Sequence, residues 1–425
     1  MRRSSILAAI VGNVIEWYDF TLYVFLAPVI AHNFFSKFSP INALLSTFLI
    51  FAMGFFIRPL GSIILGHLGD RFGRKVTLKI TILMISLLTI AIALLPTDRQ
   101  WGFYASLCLV IFRLLQGLCI GGEFAGSMIY LTEIAQSHRR AFVSSMANNG
   151  SNFGVLCATL IAALLSSVFS ESAFYAYGWR IAFMLGGVIG LIGLWLRRDI
   201  HETPIFDQLL MQSKIASAPL LTILQQHKKA VLNIFLLVVM AATGSYVLMD
   251  FMSTYLHQYF HYSLKHALQI QALYNALTFL LVTIAAKFSD LYGRRALLMT
   301  AALGYIVLSI PCFYLLKTTG SWIWLLPLVI LYCIEESTTP ATMVEIFPPI
   351  VRYTGISIGY NMGMALLGGT APLINTWLVA RFNNPLIIAY YLAASALISL
   401  LAVIVFLPRQ FGESCDLLHE SALRD

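Results

Sequence analysis

The feature that most constrains this chain is a succession of twelve apolar segments. Each can cross the hydrocarbon region of a bilayer, which takes about 20 apolar residues in a helix. Across the chain 59% of residues are hydrophobic and 11% are charged, whereas soluble domains average about 25% charged residues. The sequence therefore predicts an all-α membrane protein with twelve transmembrane helices. The segments lie at about 6–32, 42–66, 76–96, 101–126, 141–169, 179–197, 230–256, 266–288, 296–316, 322–346, 354–380 and 385–407.

The distribution of basic residues predicts the orientation in the membrane. Of the 27 Lys and Arg, nineteen fall on one side of the predicted helices and six on the other, while Arg58 and Arg113 lie within helices. Cytoplasmic loops carry this excess of positive charge, so we expect both termini in the cytoplasm. The net charge of +8 is then a topology signal, and no nucleic-acid partner is expected. The six cysteines are scattered singly, so the sequence predicts no metal site and no cofactor.

The chain divides into two related halves. We expect a six-helix bundle at 1–197, a cytoplasmic linker at 198–229, a second six-helix bundle at 230–407 and a short cytoplasmic tail at 408–425. The loop sequence at 66–75 recurs at 286–295, and this repeat aligns Asp70 with Asp290. A weaker sequence repeat aligns Glu133 with Glu345 and Arg140 with Arg352. Two repeated bundles predict a substrate site at their interface that is exposed to each side of the membrane in turn.

The loop residues match the signature of a known family. Gly66, Asp70, Arg71, Gly73, Arg74 and Lys75 resemble the signature loop of the major facilitator superfamily. Further motifs resemble its metabolite:proton symporter branch, at 12–13, 16–20, 55–61, 113–117, 121–123, 178–180 and 202–204. The resemblance implies a proton symporter in a bacterial inner membrane for solutes such as proline, betaine, citrate, 2-oxoglutarate or shikimate. It covers nearly the whole chain.

The chain also departs from that branch. Asp250 and the pair Glu335 and Glu336 lie within helices where the branch pattern has neutral residues, and Ala182 replaces a usual proline. The osmosensing betaine and proline members carry a long C-terminal coiled coil. Only about 18 residues follow the last predicted helix here, too few for sustained heptads, so osmosensing is not expected.

Ionisable residues within the helices are the candidates for substrate and proton binding, because each costs roughly 2.5–3.5 kcal/mol to insert. Glu16 and Asp19 share one helix face, and Arg113 and Gln116 have the same spacing. If the first and fourth helices face the cavity, as the resemblance implies, Asp19 and Arg113 form a breakable pair, and a proton on Asp19 releases Arg113 to bind a substrate carboxylate. The alternative is a static structural network, which we favour for Arg58. Asp250, Glu335, Glu336, Tyr23 and Tyr360 complete the predicted site.

The repeated loops predict a gate. Acidic residues contribute little to orientation, so Asp70 and Asp290 call for another role. We expect a cytoplasmic latch in which such an aspartate pairs with arginine or a helix N-terminus and separates when the carrier opens inward. The predicted gating residues are Asp70, Arg71, Gly73, Arg74, Lys75, Glu133, Arg140, Asp290, Arg294, Arg295, Glu345 and Arg352.

The sequence contains no arrangement of catalytic residues, so we expect a transporter and not an enzyme. Because the helices carry both signs of charge, we expect the substrate to be a zwitterion of the amino-acid, proline or betaine type. Organic acids such as citrate, 2-oxoglutarate or shikimate are the second hypothesis, and a drug/proton antiporter is the third. The expected partners are the small-molecule substrate, protons and the lipid bilayer, and we expect a monomer.

Overall fold

The computed structural model describes residues 3–61, 74–120, 139–196, 225–346 and 352–407, together with positions 64, 124, 127–128, 131–132 and 135. Regular secondary structure in these residues is entirely helical. Most of the predicted linker and all of the predicted tail lie outside the described residues, so the boundaries of the two bundles and the linker stay predictions.

The described residues form twelve long helical segments, which correspond to the twelve predicted spans. They are α1 (Arg3–Phe25, continued by Ala27–Phe34), α2 (Pro40–Gly61), α3 (Arg74–Leu94), α4 (Phe103–Ile120), α5 (Arg140–Val168), α6 (Glu171–Trp195), α7 (Lys228–Phe260), α8 (Leu264–Tyr292), α9 (Arg294–Thr319), α10 (Leu326–Ile346), α11 (Gly355–Phe382) and α12 (Ile387–Phe406).

Nine of the described helices are single segments long and apolar enough to span a bilayer, and α1 makes a tenth if its two parts, bent by 63°, form one span. The helix α3 has an apolar part, Lys79–Leu94, that is shorter than the others. The helix α10 is long enough, but the polar run that begins at Glu335 and Glu336 lowers its hydropathy. Polar residues within a membrane helix mark functional positions, and α10 lines the cavity described below.

The same pairs of helices pack together in each half. In the first half α1 contacts α5, α2 contacts α4 and α3 contacts α6; in the second half α7 contacts α11, α8 contacts α10 and α9 contacts α12. These pairs are related by a shift of six helices. The predicted all-α fold of two pseudo-symmetric six-helix bundles is therefore confirmed.

The halves meet through α5 against α8 and through α2 against α11. Polar groups mark the first seam, where Asn275 donates a 2.7 Å hydrogen bond to Thr159. Aromatic rings mark the other side of the interface, where Phe48 of α2 packs edge-on against Phe251 of α7 at 5.7 Å. Contacts on both sides hold the bundles together around a central space.

Glycine allows α2 and α4 to approach closely. A Cβ on Gly117 would overlap the backbone carbonyl of Gly54. We therefore expect Gly117→Ala to cost about 1–3 kcal/mol of stability, because the two backbones must separate. The measurement is the apparent unfolding temperature in detergent. Gly54→Ala is the matched control on the facing helix, since a Cβ there makes an ordinary 3.4 Å contact, and equal losses in the two variants would contradict the expectation.

Candidate functional site

A small cavity lies between the two halves. Helices α1 and α5 of the first half and α7, α10 and α11 of the second half contribute its walls. The described residues that line it include two carboxylates and no Lys, Arg or His. They are Trp17, Phe124, Asn148, Ser151, Asn152, Val155, Ala241, Ser245, Met249, Asp250, Tyr332, Glu336, Thr339, Met343, Tyr360 and Met364. The lining is therefore suited to a positively charged group.

Asp250 reaches the cavity from a distorted part of α7. Residues Ser245–Phe251 form a π-helical turn, a distortion that recurs at functional sites because it shifts the side chains that follow. Asp250 is 1% exposed and its Oδ1 has no hydrogen-bond partner. A buried acceptor without a donor is costly. A bound cationic or N–H-bearing ligand would satisfy it.

Glu336 supplies the second cavity carboxylate, from α10. Its backbone carbonyl accepts a 2.8 Å hydrogen bond from Asn148 Nδ2 of α5, so this part of the wall is tied across the two halves. Met343 and Thr339 continue the same face of α10 into the cavity. Asp250 and Glu336 thus approach the space from two different helices of the second half.

Aromatic rings form much of the remaining wall. Phe124 and Tyr360 stack with centroids 5.0 Å apart across the two halves, and Trp17 lies 6.4 Å from Tyr246. Ring faces attract cations, most strongly when the pair is out of water. The Nε1 of Trp17 and the Nδ2 of Asn152 have no hydrogen-bond partner. These two donors leave the cavity able to bind an anionic group as well as a cationic one.

The predicted ion pair of the first half is present. Arg113 Nη1 lies 3.5 Å from Asp19 Oδ2, and the guanidinium also donates a 2.8 Å hydrogen bond to Gln116. Thr89 hydrogen-bonds the other Asp19 oxygen. The guanidinium lies over the Tyr23 ring, 4.0 Å from its centroid. All of these side chains are buried, so the charges compensate one another in place.

Of the predicted substrate and proton residues, Asp250, Glu336 and Tyr360 line the cavity. The others are buried around it and do not appear in its lining: Asp19, Glu16, Arg113, Gln116, Glu335 and Tyr23. Trp17 is next to Glu16 in sequence, so α1 presents an aromatic ring to the cavity and directs Asp19 into the bundle. Whether Asp19 and Arg113 exchange a proton or contact substrate in another conformation stays a prediction.

Arg58 pairs with Glu16 within the first half. Its Nη1 lies 3.9 Å from Glu16 Oε1, and its guanidinium lies over Phe55 at 3.8 Å and over Phe20 at 4.2 Å. Two aromatic faces and a carboxylate enclose the charge. This environment suits the structural role that the sequence favoured for Arg58.

Three of the residues predicted to gate, Asp290, Arg294 and Glu345, cluster where α5 begins and α8 ends. Asp290, near the end of α8, accepts 3.0 Å hydrogen bonds from the backbone N–H groups of Ala141 and Phe142 at the start of α5. A carboxylate at a helix N-terminus is favoured by the unpaired N–H groups and by the helix dipole. Arg294 Nη1 also lies 2.9 Å from Asp290, and its Nη2 lies 3.3 Å from Glu345. Asp290 therefore joins the two halves at the predicted cytoplasmic end.

We expect Asp290→Asn to loosen this end, because the variant replaces charge-assisted bonds worth about 1.5–3 kcal/mol with weaker ones. The fraction of carriers open at this end should rise several-fold. Accessibility of a cysteine placed at Asn149, on α5 beside the seam, to a membrane-impermeant thiol reagent measures this. Asp98→Asn is the control, because Asp98 bonds Ser36 within the first half. Unchanged labelling in Asp290→Asn would contradict the latch.

The remaining gating candidates are placed differently. Arg295 donates hydrogen bonds to the carbonyl groups of Leu407 and Ile404 at the end of α12, which is a contact within the second half. Arg140 begins α5 beside this cluster. Asp70, Arg71, Gly73 and Glu133, and the side chains of Arg74, Lys75 and Arg352, lie outside the described residues.

Sequence reasoning missed several lining residues, among them Asn148, Ser151, Asn152, Tyr332 and Thr339. A polar run from Asn148 to Asn152 inside the apolar fifth segment was a visible signal. Within the described residues there is no group of three His, Cys, Asp or Glu side chains that could hold a metal ion.

Comparison with known proteins identifies the family of this chain. The sequence model described as Major Facilitator Superfamily matches residues 9–359. A putative proline/betaine transporter of Staphylococcus haemolyticus is 33% identical over 416 residues, covering 97% of this chain and 89% of the relative. The proline/betaine transporter of Escherichia coli is 31% identical over 415 residues, covering 94% and 82%. The glycine betaine/proline/ectoine/pipecolic acid transporter of Dickeya dadantii is 31% identical over 411 residues, with the same two coverages.

Solved structures agree on the fold. A proton:xylose symporter structure bound to 6-bromo-6-deoxy-D-glucose superimposes with a TM-score of 0.78 at 18% identity, covering 98% of both chains. A partially occluded inward-open structure of the xylose transporter from E. coli gives a TM-score of 0.76 at 18% identity, covering 95% of this chain and 97% of that one. At this identity the likeness concerns architecture.

Proposed function

Since this chain belongs to the major facilitator superfamily, we propose that it is a proton-coupled symporter that imports a small zwitterion of the proline or betaine type. It is a multi-pass membrane transporter and not an enzyme. In the proposed cycle the two halves rock about the central cavity and expose it to each side in turn. The proposed setting is a bacterial inner membrane, with both termini in the cytoplasm and the carrier acting as a monomer.

The observation that carries the proposal is the charge of the cavity lining. Asp250 and Glu336 are present and basic side chains are absent among the described lining residues. The positive nitrogen of a zwitterion would lie between these carboxylates and the Trp17 and Tyr360 rings. Its carboxylate would accept hydrogen bonds from Trp17 Nε1 and Asn152 Nδ2, which have no other partner. The names of the relatives, which are proline and betaine transporters, agree with this chemistry.

The same lining disfavours the organic acids. Citrate or 2-oxoglutarate brings two or more negative charges, and each would face Asp250 and Glu336 at short range with no cation in the described lining. Like charges in a medium of low dielectric repel strongly. Arg113, which was predicted from the sequence to bind a substrate carboxylate, is paired with Asp19 and does not line the cavity. Binding of an organic acid would require that pair to open.

We propose that Asp19 carries the coupling proton. A proton on Asp19 neutralises the carboxylate and weakens its attraction to Arg113, which frees α1 and α4 to move relative to one another. The buried pair has no access to solvent in this arrangement, since Asp19 is 2% exposed and Arg113 is 1% exposed. A change of conformation must therefore open the pair before a proton is gained or lost.

Uptake into proteoliposomes tests the proposed function. With an inward proton gradient, radiolabelled proline or glycine betaine should accumulate above its external concentration, and a protonophore should abolish the accumulation. Labelled citrate should not enter above the rate of empty liposomes. Saturable citrate uptake without uptake of proline, betaine or any amino acid would overturn the proposal.

A drug/proton antiporter is the second candidate, because three methionines, Met249, Met343 and Met364, line the cavity beside the acids. Methionine side chains are flexible and adapt to varied apolar ligands. This function predicts proton-driven efflux of a lipophilic cationic dye from inverted vesicles. Dye efflux together with absent zwitterion uptake would favour the antiporter over the symporter.

A further inference from the structure

Glu335 is a buried carboxyl group directly behind the cavity wall. Its side chain on α10 is 1% exposed, and Oε2 has no hydrogen-bond partner. It does not line the cavity, whereas the next residue, Glu336, does. An ionised carboxylate in such a place carries a large desolvation cost unless a cation compensates it.

No cation in the described part of the chain compensates Glu335. The titratable groups that interact with Glu335 are Glu336 and Tyr332 on α10, Tyr305 on α9 and Tyr360 on α11, and all of them are acids or neutral hydroxyls. Asp250 on α7 acts on Tyr332. Arg58 on α2 acts on Tyr360 and is paired with Glu16, and it is not among the groups that act on Glu335. The hydroxyl of Tyr305 also has no hydrogen-bond partner. Asp19 differs, because Arg113 lies 3.5 Å from it.

Thr339 connects Glu335 with the cavity. Its side chain is part of the cavity lining, and its Oγ1 lies 2.5 Å from Glu335 Oε1. One turn of helix separates the two residues, so the contact is maintained by the backbone of α10 itself. The hydroxyl is thus the polar group that separates the buried carboxyl from the cavity.

The Thr339 hydroxyl has a single hydrogen and two acceptor oxygens of Glu335 within reach. Its Oγ1 lies 3.0 Å from the backbone carbonyl oxygen of Glu335 as well as 2.5 Å from Oε1. A threonine hydroxyl has one hydrogen to donate. When it donates to the carbonyl, the 2.5 Å contact is a hydrogen bond only if the carboxyl supplies the second hydrogen. When it donates to Oε1 instead, the carboxyl is either ionised or carries its proton on Oε2, so the same contact accommodates both protonation states of Glu335.

We propose that Glu335 is a second proton-binding site of the carrier, reached from the cavity through the Thr339 hydroxyl. The inference rests on the proposed symport function and adds a proton to it. A hydrated proton in the open cavity is taken up by Thr339 Oγ1 as the threonine passes its own hydrogen to Glu335, which becomes a neutral acid. On the other side of the membrane the reverse transfer returns the proton to water. The net change is one proton moved, with no bond to substrate formed or broken.

The substrate explains why this proton would travel with the loaded carrier. When the cavity closes, the positive nitrogen of the zwitterion is shared by Asp250 and Glu336, and nothing remains to offset a charge on Glu335. A loaded cavity with Glu335 neutral therefore closes more readily than one with Glu335 ionised. The coupling ratio should then exceed the one proton that Asp19 alone supplies.

The test is the proton:substrate ratio, measured in proteoliposomes from the membrane potential at which net flux of labelled proline stops for set pH and proline gradients. The wild-type ratio should be about one proton higher than that of Glu335→Gln, while Glu171→Gln, which alters an exposed acid at the start of α6, should match the wild type. An unchanged or higher ratio in Glu335→Gln overturns the proposal. Wild-type protein that shows no proton-driven uptake refutes the proposed function instead.

A second measurement does not depend on transport, so it also tests the proposal if Glu335→Gln is inactive. Infrared difference spectra of purified protein, recorded on raising the pH, should show the loss of a carboxylic-acid C=O band in the wild type and in Asp19→Asn. That band should be missing in Glu335→Gln, and Thr339→Val should retain it but lose it more slowly. The same band in Glu335→Gln as in the wild type would contradict the assignment.

Discussion

Asp250→Asn should weaken zwitterion binding by about tenfold to a hundredfold while leaving the carrier folded. The loss follows from removing one charge-assisted contact with the positive nitrogen, worth about 1.5–3 kcal/mol. The fold should survive because Asp250 has no basic partner among the residues that the structure describes, its Oδ1 already lacks a hydrogen bond, and asparagine has nearly the same shape. The measurement is the apparent dissociation constant of proline or glycine betaine for purified protein in detergent.

The control for this variant is Glu171→Gln, which removes an acid of the same charge at an exposed position and should change neither affinity nor stability. The unfolding temperature of Asp250→Asn should equal or exceed the wild-type value, because the cost of burying a charge is gone. Unchanged affinity in Asp250→Asn would remove this residue from the site. A fall in unfolding temperature would mean that the carboxylate has a structural partner.

Asp19→Asn should strongly reduce accumulation driven by the proton gradient, to the level that the Glu335 proton alone supports, while sparing exchange of internal for external substrate. Exchange needs the loaded carrier to reorient, but accumulation also needs the proton to be bound and released. The variant leaves the buried Arg113 charge without its carboxylate, and removing one partner of a buried pair costs about 3–5 kcal/mol. The measurement compares the two transport modes in the same proteoliposomes.

A double variant separates coupling from stability. Asp19→Asn combined with Arg113→Gln removes both charges, so the unfolding temperature should return toward that of the wild type. Accumulation should stay as low as in Asp19→Asn, because the proton site at Asp19 is still missing. Equal loss of exchange and accumulation in Asp19→Asn, with recovery of both in the double variant, would show that the pair serves only to hold α1 and α4 together.

The fold could be predicted almost completely from the sequence, because each element is specified locally. A run of apolar residues long enough to cross a bilayer must form a helix, since lipid offers its backbone no hydrogen-bond partners. The repeat of Asp70 at Asp290 revealed the two halves without any tertiary information. Even the polar helix α10 was found, because polar residues interrupt it only in its second half.

The cavity lining was predicted in part, and the reason lies in the geometry of helices. Their charge within predicted spans identified Asp19, Arg113, Asp250 and Glu336 as candidates for substrate and proton binding. The sequence does not indicate in which direction each side chain points. Direction depends on how neighbouring helices pack, and near Asp250 it also depends on a π-helical turn that has no sequence signal. Uncharged lining residues such as Asn152 were missed because the prediction relied mainly on charged side chains, whereas the polar run from Asn148 to Asn152 carries no charge.

A comparison of ligand charge tests most directly whether the cavity selects a positive nitrogen. Isothermal titration of the purified carrier with proline, proline methyl ester and N-acetylproline presents a zwitterion, a cation and an anion on one ring. The cavity lined by Asp250 and Glu336 predicts that proline binds best, that the ester retains measurable affinity and that the anion does not bind. Binding of N-acetylproline equal to or tighter than that of the ester would contradict this account of the cavity.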